Sequence, residues 1–179
     1  MVVDDAKLEL MLARDELHQL VTSYCRAVDR SDYAALRQLY HPDATDSHGS
    51  FSTGGVEQFI AQLQAAEPYV RVSQHNITTT NFVVEGPDHQ TARGEVYCLV
   101  FHTFAGPGHD IDVIIGGRYL DNYTKHDGRW KFSARTIVAD WSYQNDPSQV
   151  NFEHPSTRGS LRGQPGQADP SIGFFAPQA

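Results

Sequence analysis

The chain has 179 residues, 40% of them hydrophobic and 11% aromatic, and a formal net charge of -8. That length suits one domain with a substantial core, the composition is that of a soluble globular protein, and the negative charge argues against nucleic acid or an anionic membrane as partner. No stretch approaches the ~18 apolar residues of a membrane span, and the acidic N-terminus MVVDDAKLEL has no signal-peptide pattern, so a cytoplasmic location is expected.

A first helix is predicted from Asp5 to Asp29, because Leu10, Leu17, Val21, Tyr24 and Val28 form one apolar stripe at helical spacing. Ser31 and Asp32 offer an N-cap for a second helix, whose Leu36, Leu39 and Tyr40 face the core and which His41-Pro42 stops. A short strand is expected from Thr45 to Phe51. Gly54-Gly55 opens a third helix with Val56, Phe59, Ile60 and Leu63 on one face, ended by Pro68.

Beyond Pro68 the period changes to two. Val70 to Glu85, Ala92 to Phe104, Asp112 to Lys125 and Arg129 to Trp141 read as strands. Gly86-Pro87-Asp88 makes the first turn, and Asp127-Gly128 between two alternating runs signals a tight hairpin. Helices followed by a meander of antiparallel strands give an α+β class, the sheet covered on one face by the helices. Gly116-Gly117 inside a strand marks a bend or bulge. From Pro155 onward Pro, Gly and Ser are dense and no period survives, so 1–154 is expected to be the domain and 155–179 a tail. Ile172, Phe174 and Phe175 are its apolar exception, expected to dock on the body or a neighbouring subunit.

Tyr24 and Asp29 fall near the end of the first helix, and His75 falls in the first long strand. A carboxylate beside an imidazole makes an oriented general base, and a nearby phenol can donate a proton. Read alone, a strand histidine serves equally as a satisfied core or edge residue, and an aspartate at a helix end equally caps a turn. Five residues separate Tyr24 from Asp29, about 140° around an ideal helix, so a shared cavity must wrap the helix end. On the strand from Val96, Cys98, Val100 and His102 share one face, and Tyr97, Leu99 and Phe101 the other. Cys25 and Cys98 fit no zinc signature and are read as reduced core residues. His102, His109, Asp110 and Asp112 lack metal-ligand spacing. No dinucleotide, phosphate-loop or nucleophile-elbow motif occurs, so no metal and no cofactor are expected.

Two segments carry a family resemblance. ELHQLVTSYCRAVDRSDYAALRQLYHPDA and GGRYLDNYTKHDGRWKFSAR resemble the SnoaL-like branch of the nuclear transport factor 2-like fold over roughly residues 12–145. The resemblance implies a cone-shaped, curved antiparallel sheet with three N-terminal helices enclosing a cavity. Within that fold the chain looks most like the scytalone dehydratase, bile-acid 7α-dehydratase and hexachlorocyclohexane dehydrochlorinase group. Asp29 and His75 stand where that group's Asp–His dyad would be. Tyr24 matches a tyrosine of the bile-acid enzyme where the dehydrochlorinase has lysine, which argues against dechlorination. Arg135 in WKFSAR matches an arginine of the dehydrochlorinase cavity. An acidic residue that the bile-acid enzyme carries around Val100 is absent.

The resemblance also assigns Val96, Cys98, Val100 and His102 to the cavity lining. It implies a cofactor-independent lyase, a dehydratase first of all, or an isomerase, acting on a small hydrophobic cyclic or polycyclic molecule. His75 would take a proton from carbon, Asp29 would orient it, Tyr24 would hydrogen-bond the leaving hydroxyl or a carbonyl, and Arg135 would meet a developing oxyanion. The alternative is a non-catalytic small-molecule-binding domain or a dioxygenase β-subunit-like structural one. On either reading the convex sheet face needs cover, so Tyr97, Leu99 and Phe101 are expected at or near the interface of a homo-oligomer, dimer or trimer.

Overall fold

The computed structural model describes residues 4–86 and 88–176; Pro87 of the Gly86-Pro87-Asp88 turn lies outside the described residues. Helix α1 runs from Asp5 to Asp29, capped by the Asp4 side chain on the Ala6 N–H. It buries Leu17, Leu20, Val21, Tyr24 and Cys25 along its stripe, and each large apolar side chain so buried contributes roughly 1.5–3 kcal/mol. Ser31, in the left-handed region at φ 52, turns the chain out of the helix. Asp32 alone caps α2, Tyr33–Leu39, through the Ala35 N–H.

Strand β1, Tyr40–Ser47, begins earlier than the sequence pattern indicates. The residue before Pro42 is driven to extended backbone, so His41-Pro42 starts the strand as well as stopping the helix. The rest of the expected strand forms a turn into β2, Thr53–Gly55. Helix α3, Val56–Ala66, follows and buries Val56, Phe59 and Ile60. The meander is β3 Val70–Glu85, β4 Thr91–Ala105, β5 Asp110–His126 and β6 Arg129–Asn145. Asp127 and Gly128, at φ 50 and 74, make the two-residue hairpin turn.

These elements form an α+β fold with one curved, open sheet in the order β2-β1-β6-β5-β4-β3. The sheet is antiparallel except for one pair: β1 runs parallel to β6, with Asp46 opposite Arg135. Helix α1 packs over β3, and α3 sits beside β1 and β2. On β4 the inward side chains Val96, Cys98 and Val100 are buried, while Tyr97 and Leu99 point outward and are exposed. A register shift at Gly116/Gly117 bends β5 against β6. No helix among the described residues is long and apolar enough to cross a membrane.

The space between helices and sheet is filled by side chains. Tyr24, Tyr40, Tyr119, Tyr123 and Phe132 are buried there, around the equally buried Arg135. Beyond β6 the tail crosses back to α1 and ends in a short helix α4, Pro170–Phe175.

Candidate active site

Asp29 ends α1, and its carboxylate faces the inner side of β3. Ser73 Oγ donates to its Oδ1 at 2.7 Å, the His75 backbone N–H donates to Oδ2 at 2.9 Å, and His75 Nδ1 lies 2.6 Å from Oδ1. Burial alone would raise this carboxyl. The hydrogen bonds from His75 and Ser73, with the imidazole's charge, outweigh it and hold Asp29 below the usual carboxylate range. An ionised carboxylate only accepts, so Nδ1 carries the proton it donates, which leaves Nε2 as the ring nitrogen able to take one from a substrate. Both side chains line a pocket of about 370 Å3 with Thr22, Cys25, Arg26, Arg30, His18 and Ile77. Burial pushes the Cys25 thiol up to about 12, so it presents no thiolate nucleophile near pH 7.

Tyr24 lies on another face of α1, as its spacing from Asp29 demands. Its ring meets the His75 ring edge-on, with centroids 6.5 Å apart, and its hydroxyl lies 3.3 Å from His48 Nε2. Burial raises its pKa above the ordinary phenol value, so it stays protonated. His48 Nδ1 in turn pairs with Asp46, which is fully buried and accepts the Tyr40 hydroxyl at 2.7 Å. A second Asp–His pair therefore stands on the far side of Tyr24 from the first.

Arg135 is caged. Its guanidinium carbon lies 4.0 Å from the ring centres of Tyr24 and Tyr119 and 4.2 Å from that of Phe132. Nε and Nη2 donate to both oxygens of Asp121, at 2.7 and 2.8 Å, and Tyr123 donates to the same carboxylate. Nη1 is buried with no partner among the described residues. Tyr24 and Arg135 thus stand one layer behind the pocket that exposes Asp29 and His75.

The other predicted residues divide similarly. Val96 is core. Cys98 and Val100 wall a void of only about 20 Å3 beside Tyr119 and Ile137. His102 meets His75 edge-on at 5.5 Å with its Nδ1 unpartnered. Burial, aided by the neighbouring His75, pulls the His102 imidazole down to about 4, so it is neutral near pH 7. Among the described residues no group of three or more His, Cys, Asp or Glu is placed to hold a metal ion.

Sequence reasoning missed Ser73, Asp46, His48 and Asp121. Ser73 precedes His75 by two residues and so shares its strand face. Asp46 and His48 show the same spacing across Ser47, in the expected short strand. Asp121 sits in the hairpin motif that carries the resemblance.

Residues 9–136 match the family model of the SnoaL-like domain. No match was found among curated proteins. Among solved structures, the fold is shared with a protein of Novosphingobium aromaticivorans provisionally named scytalone dehydratase, at 21% identity and TM-score 0.64, over 82% of this chain and 93% of that one. A hexachlorocyclohexane dehydrochlorinase, LinA type 2, aligns at 18% identity and TM-score 0.71, over 83% and 98% of the two chains. LinA-type3 from Novosphingobium barchaimii aligns at 18% identity and TM-score 0.69, over 82% and 97%. At these identities the likeness is one of fold.

Proposed function

The chain belongs to the SnoaL-like domain family, and on that premise we propose that it is a cofactor-independent lyase, a dehydratase first of all, or an isomerase, acting on a small hydrophobic cyclic or polycyclic molecule. The observation that carries this reading is the Asp29–His75 pair, 2.6 Å apart and opening on a pocket. His75 Nε2 takes a proton from carbon, and the resulting imidazolium keeps its Nδ1 proton on Asp29. Tyr24, held as a phenol, donates a hydrogen bond to the leaving hydroxyl or a carbonyl oxygen. Arg135 Nη1, which has no partner among the described residues, answers the oxygen that gains negative charge. Both lie behind His75 in a closely packed layer, so in these roles the aromatic side chains around Arg135 must part to admit the substrate's oxygen.

The test begins with native mass spectrometry of protein purified from its host, to identify a retained ligand. With that ligand or its hydrated form as substrate, His75→Ala is expected to lower turnover by roughly 10²–10⁴-fold, the usual span for a positioned acid or base. Full activity in that variant would make His75 structural. A second reading, a non-catalytic binding or dioxygenase β-subunit-like domain, is favoured by the aromatic filling around Arg135. It predicts a bound ligand that leaves chemically unchanged.

A further inference from the structure

The pocket that exposes the dyad has a charge opposite to that of the chain. The molecule's formal net charge is -8, yet two arginines, Arg26 and Arg30, line this pocket against one carboxylate, Asp29. That carboxylate already accepts three hydrogen bonds and faces its imidazole. Arg30 faces Asp169, with Nε 3.5 Å from Oδ2. Arg26 differs. Its Nη2 donates to a neutral acceptor, Ser171 Oγ, at 3.1 Å, and its guanidinium carbon lies 5.5 Å from the Phe175 ring centre. Among the described residues its polar partner is thus a hydroxyl and not a carboxylate.

Arg26 precedes Asp29 by three residues, so the two leave the same face of α1 one turn apart, with ~5–6 Å between their Cβ atoms. A guanidinium without a carboxylate keeps a rigid fork of donors suited to a planar, bidentate acceptor. Cys25 and Ile77 supply apolar wall in the same pocket. A volume of about 370 Å3 lies within the range of small-molecule sites.

We propose that the pocket takes a carboxylate-bearing ring compound, its carboxylate on Arg26 and its reacting carbon one helical turn away at His75 Nε2. This names the substrate class for the reading given above and rests on that reading of the pocket. A carboxylate fits better than a phosphate dianion, because Arg26 offers one fork and Arg30 is already paired.

The experiment is a titration of the full-length protein at low ionic strength with 1-naphthoate and with its uncharged counterpart 1-naphthamide. The expected result is tighter binding of the acid than the amide by about tenfold or more, the worth of a charge-assisted bidentate contact. Added salt weakens binding of the acid. Arg26→Gln removes the preference for the acid, while Ser171→Ala, which keeps the charge and deletes the tail contact, preserves it. The proposal is overturned if acid and amide bind alike or neither binds, if Arg26→Gln leaves the preference intact, or if Ser171→Ala loses it equally. Because the titration reads no turnover, its failure leaves the His75 base assignment standing. An unimpaired His75→Ala enzyme would likewise leave the anion site standing.

Discussion

Arg135 and Asp121 form an ion pair from which water is fully excluded, and its stability depends on both partners being present. Burial works against the guanidinium's charge, and the bidentate Asp121 carboxylate restores it. Asp121→Ala leaves a caged cation with no counter-charge, and a loss of about 3–5 kcal/mol is expected in urea denaturation. Joint replacement of Asp121 and Arg135 by leucine is expected to cost less than Asp121→Ala alone; an equal or greater loss contradicts the pairing as the cause. This pair was hidden from sequence reasoning by one residue. Register extrapolated from the Asp127-Gly128 turn sets Asp121 opposite Ala134; the shift at Asn122/Tyr123 brings it opposite Arg135. His102 gives a second prediction. Its folded-state pKa of about 4 lies below the ordinary 6.5, so the unfolded chain takes up the proton first as pH falls. The stability it contributes is complete above about 6.5 and is lost as pH falls through about 4, on the order of 3 kcal/mol. The urea midpoint of wild type should fall relative to that of His102→Phe as pH drops across that window; parallel curves would assign the loss to other groups.

At the level of elements, local pattern was sufficient wherever the partner was near in sequence. Helix α1 and strand β3 have the expected limits, because an apolar stripe and a period-two run each specify their own backbone. The parallel pairing of β1 with β6 was not legible, since it joins residues about 90 positions apart and leaves no local trace. The tail shows a related difference. Its Phe pair is expected to dock on the body or on a neighbouring subunit; against the body of this chain Phe174 and Phe175 stay 78% and 68% exposed. Polar groups hold α4 instead. Asp169 accepts the N–H groups of Gln164 and Ser171, both at 2.9 Å, and faces Arg30; Gly166 N–H donates to the Arg30 carbonyl. The Ser171 hydroxyl and these two amides bring the Asp169 carboxyl down to about 2. Asp169→Ala removes the cap, worth about 1 kcal/mol, and strands two donors. Hydrogen exchange is expected to accelerate across residues 164–176 and to stay unchanged in β3 to β6. Unchanged protection of the tail would show that Asp169 does not hold it.

For the whole molecule, the outward face of the sheet carries exposed apolar side chains that the pocket does not account for. Cross-strand register sets Leu99, Gly116 and Trp141 in one row and Phe101, Ile114 and Tyr143 in the next. A Cβ at Gly116 would fall inside the Trp141 indole, so glycine is what lets that ring lie flat across β5. Trp141 and Tyr143 are nonetheless 53% and 57% exposed, beside Tyr97 and Leu99 at 39% each. The rim is charged: Arg118 bridges Glu95 and Asp140 and lies over Tyr97. An apolar centre with a polar rim is the anatomy of a protein–protein contact. A sheet face repeated on every copy is self-complementary about a two-fold axis and can also close a ring of three. We therefore predict a homo-oligomer, dimer or trimer, joined through β4, β5 and β6. Light scattering at micromolar concentration should report a multiple of the 20.0 kDa chain. Leu99→Glu together with Trp141→Glu places charge at the centre of the face, on the side of the sheet opposite the inward-facing dyad. That variant should become monomeric while its Asp29–His75 pocket still binds ligand. A wild-type monomer, or an assembly that survives both substitutions, would place the interface elsewhere.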